Sequence, residues 1–277
     1  MNLVAHPVFD GEVLTIDGKI TPQKYIFSLK ARRIPPNSGS KAANVHSLMR
    51  SGFRVPQGYV ISWDAHEAYR HADESILPKL HAELDNFIHP KTRYAVRSSA
   101  NVEDTSENSF AGQFRTLLDV QGIENVLESC KVIWDSVSTS NADAYLISHP
   151  IDWQEVKMGV LVQEMVEPVL SGVVFSKNPI NALDEIIIEA VNGYGTALVQ
   201  DGVTPLRWVN KWGCWITKPE EGDDFDGVIE QVLQGTNKIV QILNTEVDLE
   251  WVFDGENLYW LQVREITALQ SGSVYSN

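Results

Sequence analysis

The stretch VDLEWVFDGENLYWLQVREIT, residues 247–267, decides how the rest of the chain is read. Two apolar-rich runs flank Asp254-Gly255, a turn signal, so it reads as a β-hairpin carrying charge where a buried sheet would be apolar. Side chains alternate along a strand, so Asp248 and Glu250 share one face while Leu249 and Trp251 take the other. Gln262 and Arg264 share a face of the second strand by the same rule. Two adjacent carboxylates raise each other's pKa unless a cation lies between them, and hard oxygen ligands at this spacing suit Mg²⁺. A solvated face of an antiparallel sheet has the same alternation.

Register links the two polar pairs. They lie on one face only if paired residue numbers sum to an even number. Pairing Phe253 with Asn257 meets that condition and leaves Asp254, Gly255 and Glu256 as a three-residue connection, with glycine available for a positive φ. Glu250 is then expected opposite Trp260, and Asp248 opposite Gln262.

The bulk properties narrow the class. A chain of 277 residues, 43% hydrophobic and 21% charged, suits one large domain or two lobes of a soluble globular protein. A net charge of -15 and no basic cluster denser than Lys30-Ala31-Arg32-Arg33 argue against nucleic acid as a partner. An anionic ligand would have to be held by a few placed cations, metal ions and backbone amides. Cys130 and Cys214 are too few and too far apart for a disulfide framework or a zinc site, which suits a reducing compartment. The N-terminus has no basic region followed by an apolar run, and no apolar stretch reaches the roughly 18 residues of a membrane span, so the expectation is a cytoplasmic protein with no membrane partner.

Working outward from the hairpin, an amphipathic helical pattern runs over residues 228–243. A strand pair is expected over Val199 to Trp208, with Asp201-Gly202 and Thr204-Pro205 as turn signals, and single strands at Glu185 to Glu189, at Ser171 to Ser176 and at Met158 to Val166, the last too apolar to be exposed on either face. Asn192-Gly193-Tyr194-Gly195 reads as a loop needing backbone freedom. Helical patterns cover residues 122–149 and 65–89, and the four histidines of the latter, His66, His71, His81 and His89, fit a solvated face. Tyr94 to Ala100 places Arg97 at the end of a short apolar strand, before the polar loop Asn101 to Asn108 and Ser109-Phe-Ala-Gly112-Gln113. That arginine and loop are suited to bidentate contact with phosphate oxygens. Gly39-Ser40-Lys41 leads into a helix through Ala42, Val45 and Leu48, setting a lysine and free N–H groups at the positive end of a helix dipole. A surface loop with a solvated lysine gives the same pattern.

In order and over most of the chain, five stretches resemble the nucleotide-binding domain of the pyruvate phosphate dikinase, phosphoenolpyruvate synthase and rifampicin phosphotransferase family. They are GSKAANVHSLMRSGFRVPQGYVIS, YAVRSSANVEDTSENSFAGQF, MGVLVQEMVEPVLSGVVFSKNPI, IIIEAVNGYGTALVQDGVTP and the hairpin itself. The resemblance implies an α+β, ATP-grasp fold of mostly antiparallel sheets flanked by helices, with ATP bound between two lobes. Residues 1–120 are expected to form the N-terminal lobe, 121–270 the C-terminal lobe and 271–277 a tail. It implies that Lys41 and Arg97 hold phosphates, with Ser109, Gly112 and Gln113 in the loop over them. Gln163, Glu164, Met165 and Val166 correspond to the adenine hinge, and Glu189 lies near the ribose or metal. Asp248 and Glu250 correspond to the Mg²⁺ ligands, and Gln262 and Arg264 to a Gln-x-Arg at the phosphate end, so that Lys41, Arg97 and Arg264 are the expected catalytic cations.

The sequence departs from the family pattern where Ser40 replaces a second glycine, where Thr196 replaces a Glu, and where Glu265 replaces a usual Pro. Family members pass phosphate to a histidine on a following domain, and no histidine occurs here after His149. The expected activity is therefore an ATP- and Mg²⁺-dependent phosphotransferase or kinase whose acceptor is a small molecule or a separate phosphohistidine-domain protein. Two other readings remain at this point: an ATP-grasp ligase working through an acyl phosphate, and a non-catalytic ATP-sensing domain.

Overall fold

Apolar alternation builds two antiparallel sheets that share one wedge of core. The computed structural model describes residues 15–16, 19–20, 23–102, 115–139, 155–195, 204–220 and 223–266. In chain order these form β1 (Thr15–Ile16), β2 (Lys19–Ile20), β3 (Ile26–Ser28), α1 (Ser40–Arg50), β4 (Gly58–Ile61), α2 (Trp63–Arg70), α3 (Ile76–Leu84), β5 (Tyr94–Ala100) and β6 (Thr116–Val120). There follow α4 (Ile123–Thr139), β7 (Met158–Glu164), β8 (Leu170–Phe175), β9 (Ile186–Asn192), β10 (Leu206–Lys211), β11 (Cys214–Thr217), α5 (Asp226–Leu243), β12 (Val247–Phe253) and β13 (Leu258–Glu265). The chain is α+β, as the sequence implies. The first sheet runs β3-β4-β7-β5-β6, the second β11-β10-β9-β8-β12-β13, and β1 pairs with β2.

β7 lies in the middle of the first sheet, which is why Met158 to Gln163 carries no exposed residue. Tyr59, Ile61, Val96, Val160 and Val162 face α2, α3 and α4, packing on Ala65, Leu80, Ile133 and Trp134. Val60 and Leu161 point the other way and join Ala42, Val45 and Leu48 of α1 to Leu249, Trp251, Trp260 and Val263 of the second sheet. α1 thus wedges between the sheets, and its Asn44 Nδ2 donates to the Val263 carbonyl at 3.3 Å. The start of α1 is pressed onto β5. At Gly39, with φ 81°, an added Cβ would lie 1.9 Å from the Ser99 carbonyl oxygen, so only glycine fits there.

The expected division at residue 120 does not follow sheet membership. α4 and β7 belong with the first sheet, through Val126, Cys130, Ile133, Trp134, Val160 and Val162, and the chain crosses to the second sheet between Glu164 and Leu170. Of the strand pair expected over Val199 to Trp208, residues 199–203 lie outside the described residues; β10 begins at Leu206 and pairs with β9 and β11.

The hairpin keeps the expected parity by a different route. Phe253 pairs with Leu258, leaving Asp254 to Asn257 as a four-residue connection; Asp254 Oδ1 accepts from the N–H groups of Glu256 at 2.8 Å and Asn257 at 2.7 Å. Near the turn the register is therefore odd. A bulge between Glu250 and Trp251, with Leu261 as the extra residue, restores the even register beyond it. Glu250 consequently faces Gln262 and Asp248 faces Arg264, one pair further along than expected.

The helical stretch from 65 to 89 is also corrected. It breaks into α2 and α3, and of its histidines His66 is buried at 1% exposure, not solvated. Its Nδ1 accepts from the Met158 N–H at 3.2 Å, which puts the ring proton on Nε2, and its ring lies 6.1 Å from that of Trp134. The helix expected to reach residue 149 is described as far as Thr139; residues 140–150 lie outside the described residues.

Burial, aided by Arg70, lowers the His66 pKa from 6.5 to about 4. The unfolded chain takes up this proton first as pH falls, so the stabilisation is complete above 6.5 and is lost between 6.5 and 4. The loss amounts to about 3 kcal/mol. Urea unfolding across this range should show that slope in the parent and a flatter one in His66→Gln; identical slopes would contradict the assignment.

Candidate functional site

Three elements bring charge to one place. Lys41 stands in the first turn of α1, Arg97 in the middle of β5, and Asp248, Glu250, Gln262 and Arg264 on one face of the β12–β13 hairpin. Arg97 is thus a mid-strand residue, not a strand-end one. Lys41 is 7% exposed and the Arg97 side chain 11%. Arg97 Nη1 crosses from the first sheet to the second, donating to Glu250 Oε2 at 3.0 Å and to Gln262 Oε1 at 3.3 Å. The Gln262 amide lies between two guanidinium groups; turned over, its oxygen accepts from Arg264 instead.

The electrostatics follow from this packing. Burial alone would raise the Glu250 carboxyl, but Arg97, by charge and hydrogen bond, then Arg264 and Lys41, outweigh it and hold the group below its ordinary value. Glu250 therefore stays ionised among three cations, with Asp248 directly opposite one of them. Three cations and two carboxylates thus lie together, one positive charge in excess.

Backbone placement comes from β5 as well. The Ala42 N–H donates to Ser99 Oγ at 3.0 Å, so a strand residue caps the helix start, and Ser40 Oγ donates to the Ala100 carbonyl at 3.2 Å. The side chain at the first departure from the family pattern is thus turned onto the strand. Glu265, another departure, ends β13 opposite Val247 and is exposed; Thr196 lies outside the described residues.

Among the described residues, the buried polar atoms without a partner include Arg97 Nε and both amide atoms of Gln163, which is 2% exposed; Asn37, Ser62, Asn210 and Trp251 supply the others. Gln163 shares its strand face with Leu161, the face turned toward the second sheet. Orphaned buried amides cost about 1–3 kcal/mol each unless something pairs them, so these atoms mark a demand for a polar ligand.

The remaining candidates are placed as follows. Glu164, Met165 and Val166 line a cavity of about 700 Å³ with Gln57, Asp254 and Glu256 of the hairpin turn. Glu189 is on the same sheet face as Glu250 but two strands away, through Val173, and lies 3.5 Å from Arg207 Nη1. The structure does not bring it into the charge cluster. Ser109, Gly112 and Gln113 lie outside the described residues. Among the described residues no three His, Cys, Asp or Glu side chains form a self-sufficient metal cage. Sequence reasoning missed Ser99 as the cap of α1 and Arg207 as the partner of Glu189. Glu189 and Arg207 carry a readable signal, since each is a charge inside an apolar strand run.

The profile of the pyruvate phosphate dikinase AMP/ATP-binding domain matches residues 74–224, more than half of the chain. The chain belongs to this family. The match includes Arg97 and the crossing from β7 to β8, and it stops short of both Lys41 and the hairpin. A probable phosphoenolpyruvate synthase of Pyrococcus horikoshii is 34% identical over 213 residues, covering 64% of this chain and 26% of its own length. The phosphoenolpyruvate synthase of Aeropyrum pernix is also 34% identical, over 218 residues, with 63% and 27% covered. The uncharacterized phosphotransferase YvkC of Bacillus subtilis is 28% identical over 278 residues, with 84% and 34% covered. The chain therefore spans about a quarter to a third of the length of these relatives. Among solved structures, the D-alanine-D-alanine ligase of Coxiella burnetii aligns at TM-score 0.40 and 12% identity, covering 83% of this chain and 48% of that one.

Removing Arg97 should reverse the pH behaviour of Glu250. In the parent, the lowered pKa contributes stability that is lost only as pH falls below the ordinary carboxylate range. In Arg97→Met, burial raises the same group. The variant should lose about 1–2 kcal/mol at neutral pH, and the deficit should shrink as pH falls through 4.5. Thermal unfolding at a series of pH values checks this, and a deficit equal at every pH would contradict it.

Proposed function

We propose that this AMP/ATP-binding domain is an ATP- and Mg²⁺-dependent phosphotransferase module. The observation carrying the reading is the Arg97–Glu250 contact between the two sheets, with Lys41, Asp248, Gln262 and Arg264 around it. Phosphoryl transfer asks a protein mainly for positioning and neutralisation of charge, and this cluster supplies both. Lys41, Arg97 and Arg264 hold the phosphates. The adenine is read by Gln163, whose orphaned amide can donate and accept, and by backbone groups of Glu164 to Val166.

The residues fit Mg²⁺ as well as ATP. Asp248 and Glu250 would hold the ion together with phosphate oxygens, which suits a metal bound through one or two carboxylates rather than a full protein cage. Bound there, Mg²⁺ neutralises charge on the phosphates. Gln262 lies between Arg97 and Arg264 and can offer its amide oxygen to either guanidinium group. Glu189, paired with Arg207, takes the ribose side.

The acceptor is a small molecule or a separate protein bearing a phosphohistidine. The phosphotransferase and phosphoenolpyruvate synthase relatives support group transfer. A cytoplasmic setting accords with two cysteines kept as thiols, and among the described residues no helix is long and apolar enough to cross a membrane.

Nucleotide product analysis tests the proposal. Purified protein with ATP and Mg²⁺, alone and with lysate from its source, should convert ATP to ADP or AMP. Chelation should abolish the conversion, and Glu250→Gln or Lys41→Met should slow it by about 100-fold or more with the fold intact. Unaltered turnover in both variants would refute the assignment.

A further inference from the structure

Arg97 is not the only arginine that ties the two sheets together. Arg93 lies four residues earlier, on the same face of the chain entering β5. Its Nη2 meets the Glu167 carboxylate and donates to the Tyr194 hydroxyl oxygen at 3.0 Å, while Nη1 lies 3.3 Å from Asp119 Oδ1 on β6. The Tyr194 hydroxyl in turn donates to Glu167 Oε2 at 2.9 Å. Arg93, Tyr194 and Glu167 therefore close a triangle of hydrogen bonds.

The three corners belong to different parts of the fold. Arg93 is fixed to the first sheet as it enters β5, and its carbonyl accepts from the Met165 N–H at 2.8 Å. Glu167 lies on the segment crossing between β7 and β8. Tyr194 follows β9, and its loop is anchored to the second sheet: the Gly193 N–H donates to the Val169 carbonyl at 3.0 Å, and Ser171 Oγ donates to the Gly193 carbonyl at 2.5 Å. The triangle thus bonds the first sheet, the crossing segment and the loop after β9 to one another, and a rotation that parts Tyr194 from Arg93 has to break it. Solvent reaches these charges, with the Arg93 side chain 36% and that of Glu167 70% exposed, so their ion pair adds little to global stability. What the triangle controls is geometry.

We propose that Arg93, Glu167 and Tyr194 form a clasp that fixes the angle between the two sheets and so act as positioning residues for the nucleotide. The nucleotide part rests on the function proposed above. Arg97 and the hairpin carboxylates come from opposite sheets, so a loosened crossing moves them apart where the phosphates bind. The clasp lies about 13 Å from Arg97, four residues along the strand, and touches none of the phosphate-binding side chains.

The test reads the angle directly. Cys214 is exposed on β11 and Cys130 is fully buried, so spin labels on Cys214 and on an introduced Lys79→Cys in α3 report the distance between the sheets. In that background the clasp predicts one narrow distance distribution. It should broaden or shift in Arg93→Met/Tyr194→Phe, while circular dichroism stays unchanged. ATP affinity measured by calorimetry should fall several-fold in the same variant, with faster nucleotide release. A distance distribution that stays narrow and unmoved would overturn the clasp, because surface ion pairs with a purely local role leave the angle alone. If the parent binds no adenine nucleotide, the proposed function fails, and the distance measurement still decides the clasp.

Discussion

The Arg97–Glu250 contact is the constraint on which the rest depends. It joins the central region of one sheet to the hairpin of the other, and each partner has an unfavourable environment without the other. The Glu250 side chain is 34% exposed, so the sheets around it only partly strip its carboxylate of water, and that loss of water pushes it toward the neutral form; the Arg97 guanidinium, 11% exposed, cannot release its proton. The pairing, reinforced by Arg264 and Lys41, outweighs the loss of water and holds the Glu250 carboxyl below its ordinary value. The core geometry then follows from what brings these residues within reach: α1 wedged between the sheets, Gly39 laid against Ser99, and the bulge that turns Gln262 toward Glu250.

Such a cluster is better suited to exchange than to stability. Buried ion pairs seldom add net stability over apolar packing. On the function proposed above, cations already gathered at one place take up phosphate oxygens without first being organised, and the two carboxylates freed by that exchange hold the metal. The Arg97 Nε and Gln163 amide, which have no partner among the described residues, fit the same proposal.

Much of this was legible in the sequence because it depends on alternation. Parity along the hairpin put Asp248, Glu250, Gln262 and Arg264 on one face, and the apolar run at Met158 to Val162 marked a strand covered on both sides. The exact register was not legible. It depends on Asp254 gathering two backbone N–H groups into a longer turn and on a bulge at Leu261, both set by local hydrogen bonding rather than by hydrophobic pattern. His66 was misread for a related reason. Its neighbours suggest a polar helix face, yet the Met158 N–H and Trp134 that cover it come from residues far along the chain. Sheet membership was not legible either, being a long-range fact: β7 is close to β8 in sequence and pairs with β4 and β5.

A crystal structure with Mg²⁺ and a non-hydrolysable ATP analogue tests the central claim most directly. Partner exchange predicts that the Arg97 guanidinium leaves Glu250 for phosphate oxygens, that the metal sits on Asp248 and Glu250, and that the base lies against Gln163. Nucleotide bound elsewhere with the Arg97–Glu250 hydrogen bond intact would contradict it.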